Sequence, residues 1–125
     1  MIGFIYVIKN HINNKLYIGQ TTRIIEIRWK EHIRHSKYDD LIIYRAIRKY
    51  GVQNFYIEKL EEVIYNKQEE LDARETYYIS LYNTIDKSKG YNISTGGSTP
   101  KFYRKKLDID SIKNLYVDKK FLYIK

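Results

Sequence analysis

The chain has 125 residues and a formal net charge of +8, from 23 Lys and Arg against 15 Asp and Glu. It has no cysteine, which excludes a disulfide partner and a thiolate metal site and leaves His, Asp and Glu as side-chain metal ligands. No apolar run approaches the ~20 residues of a membrane span and no secretory signal pattern opens the chain, so the expectation is an intracellular protein with an acidic polymer as partner, most often nucleic acid. The length predicts one domain with a tail. The abundance of Ile, Lys, Asn and Tyr suggests an AT-rich coding genome, such as that of a phage, organelle or large virus.

Phe4, Tyr6 and Ile8 alternate with Ile5 and Val7, which predicts a strand. Asn10, Asn13 and Asn14 form a turn, and Lys15 to Gln20 alternates again as a second strand. With an even loop, Tyr6 lies opposite Tyr17 on one face of an antiparallel hairpin. Gly19 shares that face and leaves room for close approach. Thr21 or Thr22 is the expected cap of a first helix, in which Arg28 and His32 are four apart and point the same way. Two phenols, a guanidinium and an imidazole then converge on one concavity.

Asp39 or Asp40 is the expected cap of a second helix, Leu41 to Tyr50, with Ile43, Ala46, Ile47 and Tyr50 on its buried face. Gly51 would stop it in the left-handed conformation. Phe55 to Val63 reads as a third strand. A third helix follows at about Lys67 to Tyr82, with an apolar stripe of Leu71, Tyr78, Ile79 and Tyr82. Glu75 sits inside that stripe, where a carboxylate is desolvated unless it is ion-paired, with Arg74 or Arg28, or ligates a cation. Ser88 to Pro100 is a loop containing Gly90-Tyr91-Asn92. Residues 98–125 form a basic connector and a C-terminal helical segment. Residues 101–125 carry 8 Lys and Arg against 3 Asp. That segment is read either as the opening helix of a DNA-binding module or as a helix packed on the preceding domain.

The stretch from Gly3 to His32 resembles the GIY-YIG nuclease family. Its two strand motifs are Phe4-Ile5-Tyr6 and Tyr17-Ile18-Gly19, and Arg28-Trp29-Lys30-Glu31-His32 matches the helix signature of phage-type intron homing endonucleases. Phe4 stands where the first motif has Gly. The resemblance extends over about residues 3–97, so residues 1–97 are taken as the catalytic domain. It implies that Glu75, just after Arg74, binds the metal, that Asn92 after Gly-Tyr closes the site, and that Tyr6 is the candidate general base, with Tyr17 orienting water or phosphate. Which tyrosine does which is open.

The expected fold is α+β, a small three-stranded, mainly antiparallel sheet flanked by helices. The expected activity is metal-dependent hydrolysis of DNA phosphodiester bonds, homing-endonuclease-like. A structure-specific nuclease of flaps, junctions or damaged DNA, and a non-catalytic DNA-binding protein, are the alternatives. The proposed site set is Tyr6, Tyr17, Arg28, His32, Glu75 and Asn92. Glu75 holds Mg2+ or Mn2+ through oxygen, and Arg28 offers its fork to phosphate. Lys15, Lys101, Arg104, Lys105 and Lys106 are candidate phosphate contacts. A phenol has an ordinary pKa of about 10, so Tyr6 needs either cationic neighbours that lower it or a group to take its proton. The oligomeric state is left open.

Overall fold

The structure, a computed structural model, describes residues 1–94 and 96. The segment at 98–125, with Lys101, Arg104, Lys105 and Lys106, lies outside the described residues. The described chain forms β1 (Ile2–Asn10), β2 (Leu16–Thr21), α1 (Ile25–His35), α2 (Ile42–Tyr50), β3 (Phe55–Ile64) and α3 (Gln68–Tyr82). The three strands make one antiparallel sheet in the order β2-β1-β3. This is the α+β architecture that the sequence predicts.

β1 is the central strand, and both of its faces are covered. Ile5 and Val7 pack with Ile18 of β2 and with Leu71, Tyr78 and Ile79 of α3. Tyr6 and Ile8 pack on the other face, with Ile43, Ala46 and Ile47 of α2 and Trp29 of α1. Two-sided burial explains why β1 reads as an unbroken apolar and aromatic run. In the edge strand β2, half of the positions (Leu16, Tyr17 and Gln20) are only partly buried.

The hairpin register differs from the expected one by two residues. Tyr6 pairs with Gly19, and Tyr17 pairs with Ile8. A shift of two keeps every side chain on its expected face, so the two phenols share a face but sit diagonally. The helix caps are corrected as well. α1 starts after Ile24, with no side-chain cap, because Thr21 Oγ1 instead accepts the Arg23 N–H at 3.0 Å. α2 starts after Leu41, also with no side-chain cap. Asp40 turns to Arg45 and Arg48 instead, a charge-assisted fork that competes with capping. Gly51 stops α2 at φ +89, ψ +137, a positive-φ conformation outside the left-handed helical basin.

A bulge interrupts the β1–β3 ladder. Ile5 pairs with Glu61 and Tyr6 with Lys59, leaving Leu60 as the extra residue. The bulge reverses the phase of β3, so Glu61 turns toward α3. There Arg74 forks onto it, with Nη2–Oε1 at 2.7 Å and Nε–Oε1 at 2.9 Å, and the Tyr78 hydroxyl donates to the same oxygen at 2.9 Å. α3 begins where the Glu70 carboxylate accepts the N–H groups of Asn66 and Lys67, and it ends at Asn83 in the left-handed conformation.

Candidate active site

The face of the hairpin covered by α1 and α2 carries a connected polar cluster. Tyr6 is 1% exposed, and its hydroxyl lies 2.7 Å from His32 Nε2. Gly19 makes room for it, since a Cβ there would stand 2.4 Å from the Tyr6 hydroxyl oxygen. The close approach expected at Gly19 is therefore made by the protein's own phenol. Arg28 Nε reaches the same oxygen from 3.4 Å, and its Nη1 donates to Glu31 at 3.1 Å. His32 Nδ1 is 2.9 Å from the Tyr44 hydroxyl of α2. The Tyr17 ring stands edge-on to the imidazole, with centroids 6.0 Å apart.

Glu75 approaches from the opposite face of the sheet. β2 is an edge strand, and its outer edge is lined by the segment Lys89–Asn92. Leu16 N–H donates to Lys89 O, and Tyr91 N–H donates to Leu16 O. Asn92 continues this pairing with its side chain, Oδ1 accepting from Ile18 N–H at 2.8 Å and Nδ2 donating to Ile18 O at 2.9 Å. A cleft of about 200 Å³ opens beside this edge, and Tyr17, Glu75, Tyr91, Asn92 and Gly96 are among its walls. Tyr17 enters it from the face that α1 and α2 cover, and Glu75 from α3 on the other face. Gly96 comes so close that a Cβ would lie 3.0 Å from Glu75 Oε1.

The partners first considered for Glu75 are engaged elsewhere, Arg74 with Glu61 and Arg28 with Glu31. Glu75 Oε1 accepts a neutral donor, Gln20 Nε2, at 2.8 Å. The same Gln20 nitrogen donates to Asp72 Oδ1 at 2.9 Å. Gln20, Asp72 and Tyr44 were not singled out by sequence reasoning. The i, i+3 spacing of Asp72 and Glu75 was legible, but their link through a strand residue 52 to 55 positions away is a tertiary fact. Of the other candidates, Lys15 lies with Nζ 5.9 Å from the Tyr91 ring centre, at a wall of the cleft. Asn92 spends both ends of its amide on Ile18 and so anchors the loop.

Electrostatics bears on the two routes open to Tyr6. Burial pushes the Tyr6 phenol well above its usual range, Tyr17 adds to the effect, and Arg28 only partly opposes it. Burial and the nearby Glu75 push Tyr17 up to about 12. Burial, then Arg28 and His35, lower His32 to about 3. At neutral pH the cluster therefore holds three protonated phenols, Tyr6, Tyr17 and Tyr44, and a neutral imidazole, not a phenolate.

The fold agrees with the comparisons with known proteins. The profile of the GIY-YIG catalytic domain matches residues 2–92. The chain belongs to the GIY-YIG family. It is 36% identical over 93 residues to intron-associated endonuclease 1 of Enterobacteria phage T4, covering 72% of this chain and 36% of that protein. It is 34% identical over 92 residues to the uncharacterized protein 019R of Invertebrate iridescent virus 6, covering 73% of this chain and 33% of that one. The chain thus spans about a third of the length of the curated relatives it matches. Among solved structures, the catalytic domain of the homing endonuclease I-TevI matches with a TM-score of 0.61 and 34% identity, covering 74% of this chain and 98% of that one. The same domain as a glutamate-to-alanine mutant matches with a TM-score of 0.64 and 32% identity, covering 77% and 97%. The GIY-YIG domain of this chain is therefore of the endonuclease type.

Proposed function

We propose that the chain hydrolyses DNA phosphodiester bonds with a divalent cation held at Glu75, as the catalytic part of a homing-endonuclease-like enzyme. The observation that carries this reading is the meeting of Glu75 and Tyr17 in one cleft at the β2 edge, within a fold shared with an intron endonuclease domain. GIY-YIG nucleases as a family are generally metal-dependent. The donor set suits a hard ion, because Glu75 brings carboxylate oxygens to the cleft wall. Glu75 would be the protein ligand, with water and phosphate oxygens completing the shell, as suits Mg2+ or Mn2+. When bound, such a cation supplies Lewis acidity to the phosphate and acidifies water.

The protein's own groups supply the rest. Tyr6 is read as taking a proton from the attacking water while passing its own to His32 Nε2. The 2.7 Å contact gives the proton its path, and the negative charge of a bound phosphate would offset the effect of Arg28 that, with burial, holds the imidazole neutral, so no preformed phenolate is needed. Tyr17, in the cleft wall, orients the water or the phosphate. Arg28 turns its fork from Glu31 to the non-bridging oxygens, and Glu31 keeps Arg23 as partner.

The test is plasmid cleavage in Mg2+, in Mn2+ and in a chelator, for the wild type and Glu75→Ala. Expected is cleavage by the wild type with cation only and a loss of at least ~100-fold in Glu75→Ala, with folding and DNA binding retained. Equal cleavage by the variant would reject the role of Glu75. DNA binding without cleavage by the wild type would favour a non-catalytic DNA-binding protein.

A further inference from the structure

The Glu75 carboxylate is oriented by a residue of the opposite element. Gln20 extends from β2, and its Nε2 bridges Glu75 Oε1 at 2.8 Å and Asp72 Oδ1 at 2.9 Å. An amide can present either end, so something must fix which one faces the carboxylates. Gln68, one turn before Asp72 on α3, does this. Its Nε2 donates to Gln20 Oε1 at 2.9 Å and to Asp72 Oδ1 at 2.8 Å. A flipped Gln20 would aim its oxygen at two carboxylates and lose three hydrogen bonds. The orientation is therefore set by the network itself.

Resting on the metal reading of Glu75, we propose that Gln20 is a positioning residue that holds this carboxylate in its cation-binding orientation. The chemistry of the donor matters. An arginine in this place would hold the carboxylate equally well but would neutralise it, as Arg74 does for Glu61. A neutral amide fixes the geometry without adding a positive charge that would compete with a cation. Partners of this kind behind a metal ligand typically change metal affinity or activity by about 10- to 100-fold when removed. Gln20 also separates Asp72 from Glu75, so two carboxylates on successive turns of one helix share a donor.

The test uses the full chain and Mn2+ as probe, with the free ion followed by electron paramagnetic resonance and no dependence on turnover. Gln20→Met keeps most of the side-chain volume and removes the amide. Gln68→Met removes only the outer lock, at an exposed position where folding is not at risk. Expected are an Mn2+ dissociation constant about 10-fold higher in Gln20→Met, a smaller shift in the same direction in Gln68→Met, and DNA affinity in chelator unchanged in both. Glu75→Ala separates the two levels. If Glu75→Ala binds Mn2+ as the wild type does, the metal reading falls and this inference falls with it. If Glu75→Ala loses Mn2+ while Gln20→Met and Gln68→Met both bind like the wild type, the positioning role alone is overturned. Should Gln20→Met fail to fold, the shift or constancy in Gln68→Met decides.

Discussion

Tyr6 and Tyr17 carry the same functional group on the same face of one hairpin, yet their surroundings differ. Tyr6 is buried and bound on its oxygen by His32 and Arg28, whereas Tyr17 forms part of the cleft wall. Removing the hydroxyl therefore has different consequences at the two positions. Tyr6→Phe leaves His32 Nε2 buried without its phenol partner, at a cost of about 1–3 kcal/mol. Tyr17→Phe removes the hydroxyl of a cleft-wall residue and leaves that buried pair intact. Both variants should cleave DNA slowly, but Tyr6→Phe alone should lose several degrees of melting temperature. Equal melting temperatures for the two would mean that the Tyr6–His32 contact contributes nothing to the fold. The two phenols were legible in sequence because alternation places them on one face whenever the loop is even. Their unequal burial was not legible, because it depends on α2 closing over Tyr6, and helix-to-sheet packing has no local signature.

At the scale of elements, the clearest departure from the expected pattern is in β3. Strict alternation from Phe55 places Glu61 with Phe55 and Ile57, and the bulge at Leu60 moves it to the other face. That single extra residue gives Arg74 its partner on β3. The Arg74–Glu61 pair joins α3 to the sheet, with side chains only 6% and 12% exposed. Breaking a buried pair by deleting one member costs about 3–5 kcal/mol, because the remaining charge stays buried. Arg74→Met should accordingly unfold the chain at markedly lower denaturant concentration. Glu61→Gln in the Arg74→Met background should recover part of the loss, since it removes the stranded charge. A double variant no more stable than Arg74→Met would show that the pair does not carry this energy. The elements themselves were readable from period and punctuation, as the agreement of all three helices and three strands shows. Their caps were not, because Thr21 and Asp40 found nearer partners than the helix termini they precede.

At the scale of the whole molecule, His32 ties the site to stability. It is 1% exposed and lies between Tyr6 and Tyr44. Burial, Arg28 and His35 depress its pKa from 6.5 to about 3. In the unfolded chain the imidazole titrates near 6.5. Between pH 6.5 and about 3 the unfolded chain holds a proton that the native state does not, so stability rises with pH across that window and falls as pH drops through it. Above 6.5 the contribution is fully present, and the slope within the window approaches about 1.4 kcal/mol per pH unit for one proton. Carboxylates add their own acid sensitivity, so the wild-type curve alone does not isolate His32. His32→Gln keeps a donor and an acceptor between the two phenols and cannot take up that proton. Urea unfolding at pH 6.5, 5.5 and 4.5 should therefore give a shallower dependence on pH in His32→Gln than in the wild type, whatever the offset between them at pH 6.5. Parallel curves would mean that the native imidazole is as free to protonate as the unfolded one, and the neutral proton acceptor assigned to Tyr6 would be lost.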